Sequence, residues 1–300
     1  MYDKLVSVVI PTHSGSDIIT RAVDSVLAQT YKEVEVIVVD DNGLETDEQK
    51  KTSLAMQKYA DNNNVHYIAH KVSKHGAAAR NTGIKNSKGE YIAFLDDDDY
   101  FKTDNIENHV NALKSQSAEY GISYCGMKLI RKGFRDEYMY PKYEGDALLD
   151  FLTEHIQIGS SQIMVTKAVI DETNGFDESF KRHQDWEFIA RTLHKFRLVK
   201  VDSIGVVKIN LDRNIPKNPE RYEANRLYYL DKLKYIIDEF PAKQQKQIYA
   251  VHYFDIAKDY LKAKNIKKFI YWTVKTRKPL KSFCKYIHDG FIYNAKRDKK

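Results

Sequence analysis

Four consecutive carboxylates, Asp96, Asp97, Asp98 and Asp99, follow the apolar run Tyr91-Ile92-Ala93-Phe94-Leu95. Neighbouring negative charges repel one another at neutral pH, so a fold that gathers four of them is helped by a cation. Hard oxygen ligands suit Mg2+ or Mn2+, which take one or two carboxylates and leave positions for substrate phosphate. A solvated acidic turn is the plainer alternative. Position favours the cation, because the apolar run reads as a buried strand and ligands of open α/β sheets bind at the carboxyl ends of strands. Pro11-Thr12-His13 after Leu5 to Ile10, and Asp40-Asp41 after Val34 to Val39, stand in the same relation to a strand. Arg80, at the start of a helix, adds a cation able to meet phosphate or base. Together these residues outline a nucleotide site in which Asp41 accepts from a base N–H, Asp97 holds a ribose hydroxyl and Asp98 binds a metal bridging a diphosphate. Singly, each has a duller role: an Asx turn for Asp40 and Asp41, an ion pair for Arg80, a loop hydrogen bond for His13.

The elements that must position these groups alternate. Leu5 to Ile10 is a compact apolar run ended by Pro11, and Ile18, Ile19, Ala22, Val23, Val26 and Leu27 then recur at helical spacing behind Ser16. Val34 to Val39 reads as a strand, Thr46 to Tyr59 as a polar helix, Val65 to Ala69 as a short strand, and the segment opening at His75 as a helix ending near Gly89. Four strand–helix alternations in a hundred residues argue for right-handed βαβ units and a Rossmann-like α/β fold with a mostly parallel central sheet flanked by helices. Farther on come a helix from Thr103 to Lys114, one or two strands from Gly121 to Ile130 and a loop from Arg131 to Asp146. A strand at Ser160 to Val165, a helix at Lys167 to Glu172 stopped by Asn174-Gly175, a helix at Gln184 to Leu193, and strands at Phe196 to Val201 and Ile204 to Ile209 follow. Pro216 and Pro219 mark a change, after which the chain reads as helices rich in Tyr and Lys.

Two cysteines, Cys125 and Cys284, are too few for a disulfide framework, which points to a reducing, cytoplasmic setting. Met1 leads almost directly into a strand with no secretory signal pattern, and every apolar run is far shorter than the roughly 20 residues that span a bilayer. The charge is divided. Residues 241 to 300 hold 16 Lys/Arg against four Asp, a net +12, which leaves −6 on the preceding 240 residues. A basic tail on an acidic body fits an anionic partner, a membrane surface or a nucleic acid.

Val8-Val9-Ile10-Pro11-Thr12-His13, Ala22 to Tyr31, Val38-Val39-Asp40-Asp41-Asn42, Ala79-Arg80-Asn81-Thr82-Gly83-Ile84 and Tyr91 to Asp98 resemble, in order and spacing, the donor half of a family 2 glycosyltransferase with the GT-A fold. The resemblance runs on through Asn174 to Glu178 and His183-Gln184-Asp185-Trp186-Glu187-Phe188, covering about residues 5 to 210. It implies a nucleotide-sugar donor, most often a UDP-sugar, and transfer with inversion to a hydroxyl of a saccharide acceptor. By the same resemblance Pro11, Thr12 and His13 line the base pocket, Asp41 meets uracil, Arg80 and Asp96 help hold the nucleotide, Asp97 lies near the ribose, Asp98 ligates Mn2+ or Mg2+, and Asp185 is the catalytic base. Two departures stand out: Ser14 replaces a common Asn, and Gln184 replaces a frequent Glu.

The expected organisation is a catalytic domain over residues 1–215, with a donor half 1–100 and an acceptor half 101–215, and a helical basic region over 216–300. In that region Tyr222, Leu227, Tyr228, Leu230, Leu233, Ile236 and Ile237 suggest one helix. Ile266, Phe269, Ile270 and Val274, then Leu280, Phe283, Cys284, Ile287 and Phe291 after Pro279, recur at helical spacing among lysines, with Tyr271 and Trp272 on a neighbouring face. Such faces suit an anionic membrane, the catalytic domain or a second copy of the chain. Peripheral attachment at the inner face of the cell membrane would fit a lipid-linked acceptor in surface-polysaccharide assembly. A sugar nucleotidyltransferase would instead call for a Gly-rich phosphate loop with Lys or Arg after the first strand, and Pro11-Thr12-His13-Ser14 is not one. A non-catalytic carbohydrate or nucleic-acid binding module lacks a recognisable base-reading motif.

Overall fold

A computed structural model describes residues 4–131, 133–210 and 218–276. The chain divides into two compact units, Met1–Phe151 with His155–Asn214, and Leu152–Glu154 with Ile215–Lys300. The expected boundary between residues 215 and 216 and the expected helix carrying Leu280, Phe283, Cys284, Ile287 and Phe291 lie outside the described residues.

In the first unit β1 (Val6–Thr12) lies between β2 (Val34–Asp40) and β4 (Tyr91–Phe94), and β3 (Val65–Ala69) adds to β2, all in parallel. β1 and β2 are covered on both faces, which is why their sequences are continuous Val/Ile runs rather than alternating ones. The crossovers are α1 (Ile19–Leu27), α2 (Asp47–Met56, prolonged by a 3-10 turn) and α3 (His75–Asn86). α1 buries Ile19, Ala22, Val23 and Val26, as its spacing predicts. α3 approaches β1 closely because of Gly83, where a Cβ would stand 2.2 Å from Val9 Cγ1; this sets the depth at which Arg80, on the same helix, reaches the sheet edge.

Beyond β4 the sheet becomes mixed. After β5 (Asp99–Phe101) and α4 (Asn105–Lys114), the long strand β6 (Tyr120–Arg131) carries β7 (Glu137–Met139) on part of its edge. α5 (Leu148–Leu152, the last residue of which belongs to the second unit), β8 (Ile163–Thr166), α6 (Lys167–Thr173), α7 (Gln184–Lys195) and β9 (Arg197–Asn210) complete the unit. The order is β3-β2-β1-β4-β8-β6-β9-β5, with β8 antiparallel to both β4 and β6, β5 antiparallel to β9, and β6 parallel to β9. Parallel pairing therefore dominates only the first four strands. The two strands expected at 196–209 are one, carried across Asp202 and Ser203 by register shifts opposite Cys125 and Gly126. The expected loop at 131–146 contains β7.

The second unit contains α8 (Pro219–Lys232), capped by the Asn218 side chain and opened by Pro219, then α9 (Lys234–Ile237), α10 (Ala242–Lys262) and α11 (Ile266–Thr276). Ile256, Ala257, Tyr260 and Trp272 form its apolar centre, and lysines lie over the aromatic rings, Lys275 at 4.9 Å from Trp272 and Lys268 at 5.6 Å from Tyr260. At its heart is Arg226, only 2 % exposed. Its guanidinium donates to Glu154 (2.5 Å), Asp255 (2.8 Å), the Tyr222 hydroxyl (2.7 Å) and His252 Nδ1 (2.9 Å). Because a guanidinium only donates, His252 carries its proton on Nε2, which donates to the Leu152 carbonyl (3.1 Å). Removing the cation takes the guanidinium from two partly buried carboxylates, of which Asp255 keeps Lys258, so Arg226→Met is expected to cost about 3 kcal/mol, the low end for a broken buried pair, read as a lowered denaturation midpoint in urea.

Candidate active site

The carboxyl ends of β1, β2 and β4 meet the start of α3 and the end of β9 around an open cleft of ≈ 270 Å³. Its lining includes Pro11, Thr12, His13, Asp41, Gly76, Arg80, Asp96, Asp97, Asp98, Gln184 and Lys208. Eight residues singled out from the sequence thus line one cavity. Asp185 is not among them; it is partly buried on the first turn of α7, next to the lining residue Gln184. The preceding His183 has a left-handed φ of 60° and sharpens the turn that presents this end of the helix.

Each acid of the run has a different set of partners. Asp96 accepts from Arg80 Nη2 (2.6 Å) and the Ser160 hydroxyl (3.1 Å), with Lys208 Nζ at 3.6 Å. Asp97 is buried and accepts from the Thr12 hydroxyl at 2.6 Å. That approach requires Gly15, where a Cβ would stand 2.0 Å from Asp97 Oδ2. Asp98 is partly exposed, and its backbone carbonyl accepts from Arg21 at 2.6 Å. Asp99 is fully buried on β5, where the Ser161 hydroxyl (2.7 Å) and Lys208 Nζ (3.1 Å) donate to Oδ2 and nothing donates to Oδ1. Ser160 and Ser161 belong to a 3-10 turn leading into β8, so the segment expected to start that strand instead grips the acids with its hydroxyls.

These contacts set the charges. Burial opposes ionisation of Asp96, but Arg80 and Lys208 outweigh it and hold its carboxyl below the usual range. Asp99 has the opposite balance: burial and the nearby Asp96 charge push it up to about 7, against the pull of Lys208. Asp185 is also raised, by burial and by Asp96, with Arg80 opposing. Oxygens of Asp96, Asp98 and Asp99 lie within 4.8 Å of one another. Three hard-oxygen donors, one of them a buried carboxylate with an unpartnered oxygen, fit a divalent cation.

Asp41 differs from expectation in one respect. Its carboxylate accepts from His70 Nδ1 (2.7 Å), the Ser73 hydroxyl (2.9 Å) and the backbone N–H groups of Lys74 (2.7 Å) and His75 (2.8 Å). Burial raises its pKa, but these four bonds more than offset that and leave it below the usual range. All four acceptor directions are occupied, so a base N–H reaching Asp41 must replace one of these donors, and the Ser73 hydroxyl is the one free to rotate away. Asp40 makes the Asx turn, accepting from the Asn42 N–H (2.9 Å) and from the Tyr67 hydroxyl (2.6 Å). Ser14 has φ 57°, a left-handed conformation better suited to Asn. Lys208, Ser160 and Ser161 were not singled out from the sequence, and no local signal marks them.

The sequence pattern described as Glycosyl transferase family 2 matches residues 7–172. An uncharacterized glycosyltransferase of Rickettsia typhi is 30% identical over 314 residues, covering 99% of this chain and 92% of its own. The UDP-Glc:alpha-D-GlcNAc-diphosphoundecaprenol beta-1,3-glucosyltransferase WfaP of Escherichia coli is 37% identical over 120 residues, 40% of this chain and 45% of WfaP. Among solved structures, S. aureus TarS 1–349 in complex with UDP-GlcNAc superposes with a TM-score of 0.61 at 18% identity, covering 91% of each chain.

Proposed function

The chain belongs to glycosyltransferase family 2, and from that premise we propose that it moves a sugar from a UDP-sugar to a hydroxyl of a saccharide acceptor, with inversion and with a divalent cation bound. What carries this reading is the convergence of Thr12, His13, Asp41, Arg80 and the acids Asp96 to Asp98 on one cleft. Support for the donor comes from WfaP, named for UDP-Glc, and from the UDP-GlcNAc held by TarS.

In this reading Pro11, Thr12, His13 and Asp41 receive the base, Asp97 the ribose, and Arg80 with Asp96 the nucleotide's phosphate side. Asp96, Asp98 and Asp99 would hold Mn2+ or Mg2+, whose charge, when bound, stabilises the departing diphosphate. Arg80 is fixed for its part by an ion pair with Asp96 and by the Phe176 ring 5.6 Å away. Asp185 accepts the acceptor hydroxyl's proton as the oxygen attacks the anomeric carbon. Gly159 leaves room on its Oδ2 side, since even a Cβ there would stay 3.9 Å away. A panel of UDP-, GDP- and dTDP-sugars with divalent cation tests the assignment by product: free UDP is expected. Pyrophosphate instead would indicate a nucleotidyltransferase, and neither product a binding module.

The C-terminal helices serve a lipid-linked acceptor of the kind WfaP's name specifies. No helix among the described residues is long and apolar enough to cross a membrane. On α11 the buried side is Trp272, Thr273 and Thr276, while Ile266, Ile270 and Val274 are 54%, 55% and 70% exposed in one stripe flanked by Lys267 and Lys275. An exposed apolar stripe among lysines suits the headgroup region of an anionic bilayer. The doubly substituted full-length chain, Ile270→Glu with Val274→Glu, is expected to bind anionic liposomes roughly 30-fold more weakly than wild type in co-sedimentation, each side chain withdrawn from water being worth on the order of 1 kcal/mol or more. Equal recovery of both proteins in the pellet would count against the stripe as the contact.

A further inference from the structure

Lys208 stands directly across from Asp99 in the β5–β9 pairing, so the sheet itself delivers its side chain to the acidic cluster. Its ammonium lies 3.1 Å from Asp99 and 3.6 Å from Asp96, two of the three carboxylates whose oxygens converge. An ammonium on two of three converging carboxylates competes for the oxygens a divalent cation needs, and the two cations repel. Yet the side chain also lines the nucleotide cleft and is 36% exposed, at the end of a flexible four-carbon stem. It therefore has somewhere to go. Building on the transferase reading, we propose that Lys208 is a tethered counter-cation: it holds Asp96 and Asp99 while no divalent ion is bound and turns to the donor's diphosphate when an ion takes those carboxylates.

A coupling between ligands follows. Diphosphate draws Lys208 away from the acids and so strengthens ion binding, and the ion, by displacing Lys208, strengthens diphosphate binding to the same extent. Cooperation between ion and nucleotide is then carried in part by a side chain.

The test measures Mn2+ binding to the full chain by the paramagnetic resonance signal of free Mn2+, with and without UDP, and UDP binding by calorimetry in chelator. Lys208→Gln is expected to bind Mn2+ about tenfold more tightly in the absence of UDP, as loss of one adjacent positive charge dictates. The same variant should bind UDP several-fold more weakly in chelator and show a smaller enhancement of Mn2+ binding by UDP. Lys208→Arg should keep the wild-type pattern, and Lys208→Met, which retains the apolar stem, replaces the Gln variant should that variant not fold. Mn2+ affinity unchanged or lowered in Lys208→Gln, or UDP affinity in chelator unchanged, would overturn the role of Lys208 while leaving the transferase reading intact. Wild-type protein that binds neither Mn2+ nor UDP would overturn both.

Discussion

Asp185→Asn is expected to lower turnover by about 10²- to 10⁴-fold, the usual contribution of a general base, while UDP binding measured by calorimetry stays at the wild-type level. The side chain lies on the first turn of α7, outside the residues lining the cleft. Its charge nevertheless feels both Arg80 and Asp96. Burial, reinforced by Asp96, raises its pKa above the ordinary 3.8, moving it toward working pH and making it a better proton acceptor. The base works ionised, so activity is present above this pKa and lost as pH falls through it. The acid limb of the wild-type pH–rate profile should therefore lie above the range of an ordinary aspartate and be missing from the residual activity of the variant. The substitution keeps the side chain's shape and removes a poorly solvated charge, so thermal stability should not fall. Near-normal turnover of Asp185→Asn would place the base elsewhere.

Asp98→Asn should have the second-largest effect, a loss of about 10²-fold or more, equivalent to several kcal/mol of charge stabilisation at the departing diphosphate. Chelation of the wild-type enzyme should give a comparable loss that Mn2+ restores, whereas added Mn2+ should restore little in the variant. Asp97→Asn provides the contrast. Asp97 is buried against the Thr12 hydroxyl, outside the converging trio, so its replacement should raise KM for the donor without changing the response to ion. Full turnover by wild-type protein after exhaustive chelation would remove the cation from the mechanism.

What could be read along the chain was whatever repeats with a local period. The Val/Ile runs of β1 and β2, the spacing of α1 and the acids just past β4 locate the cleft because each signal fits within a dozen residues. Lys208 had no such signal: its significance comes from a cross-strand partner 109 positions earlier in the chain. β5 escaped because three residues that begin with the last acid of the run have no room for a pattern. Periodicity also identified α11 without saying which side is covered; Trp272 is buried while Ile270 and Val274 face outward. Asp41 lines the cleft, but that its carboxylate closes the 73–75 turn depends on His70, Ser73 and two backbone groups that only the folded chain brings together.

The cluster around Arg226 bears on how this chain can be cut and recombined. Three of the residues assigned to the second unit, Leu152, Thr153 and Glu154, are encoded within the stretch that otherwise builds the first, and two of them supply partners to Arg226 and His252. A swap of C-terminal halves between relatives that joins them after the last strand would leave the new helices facing a foreign tripeptide. In this chain the second unit is therefore not one contiguous segment: a graft of it must carry that short internal insert along with the tail.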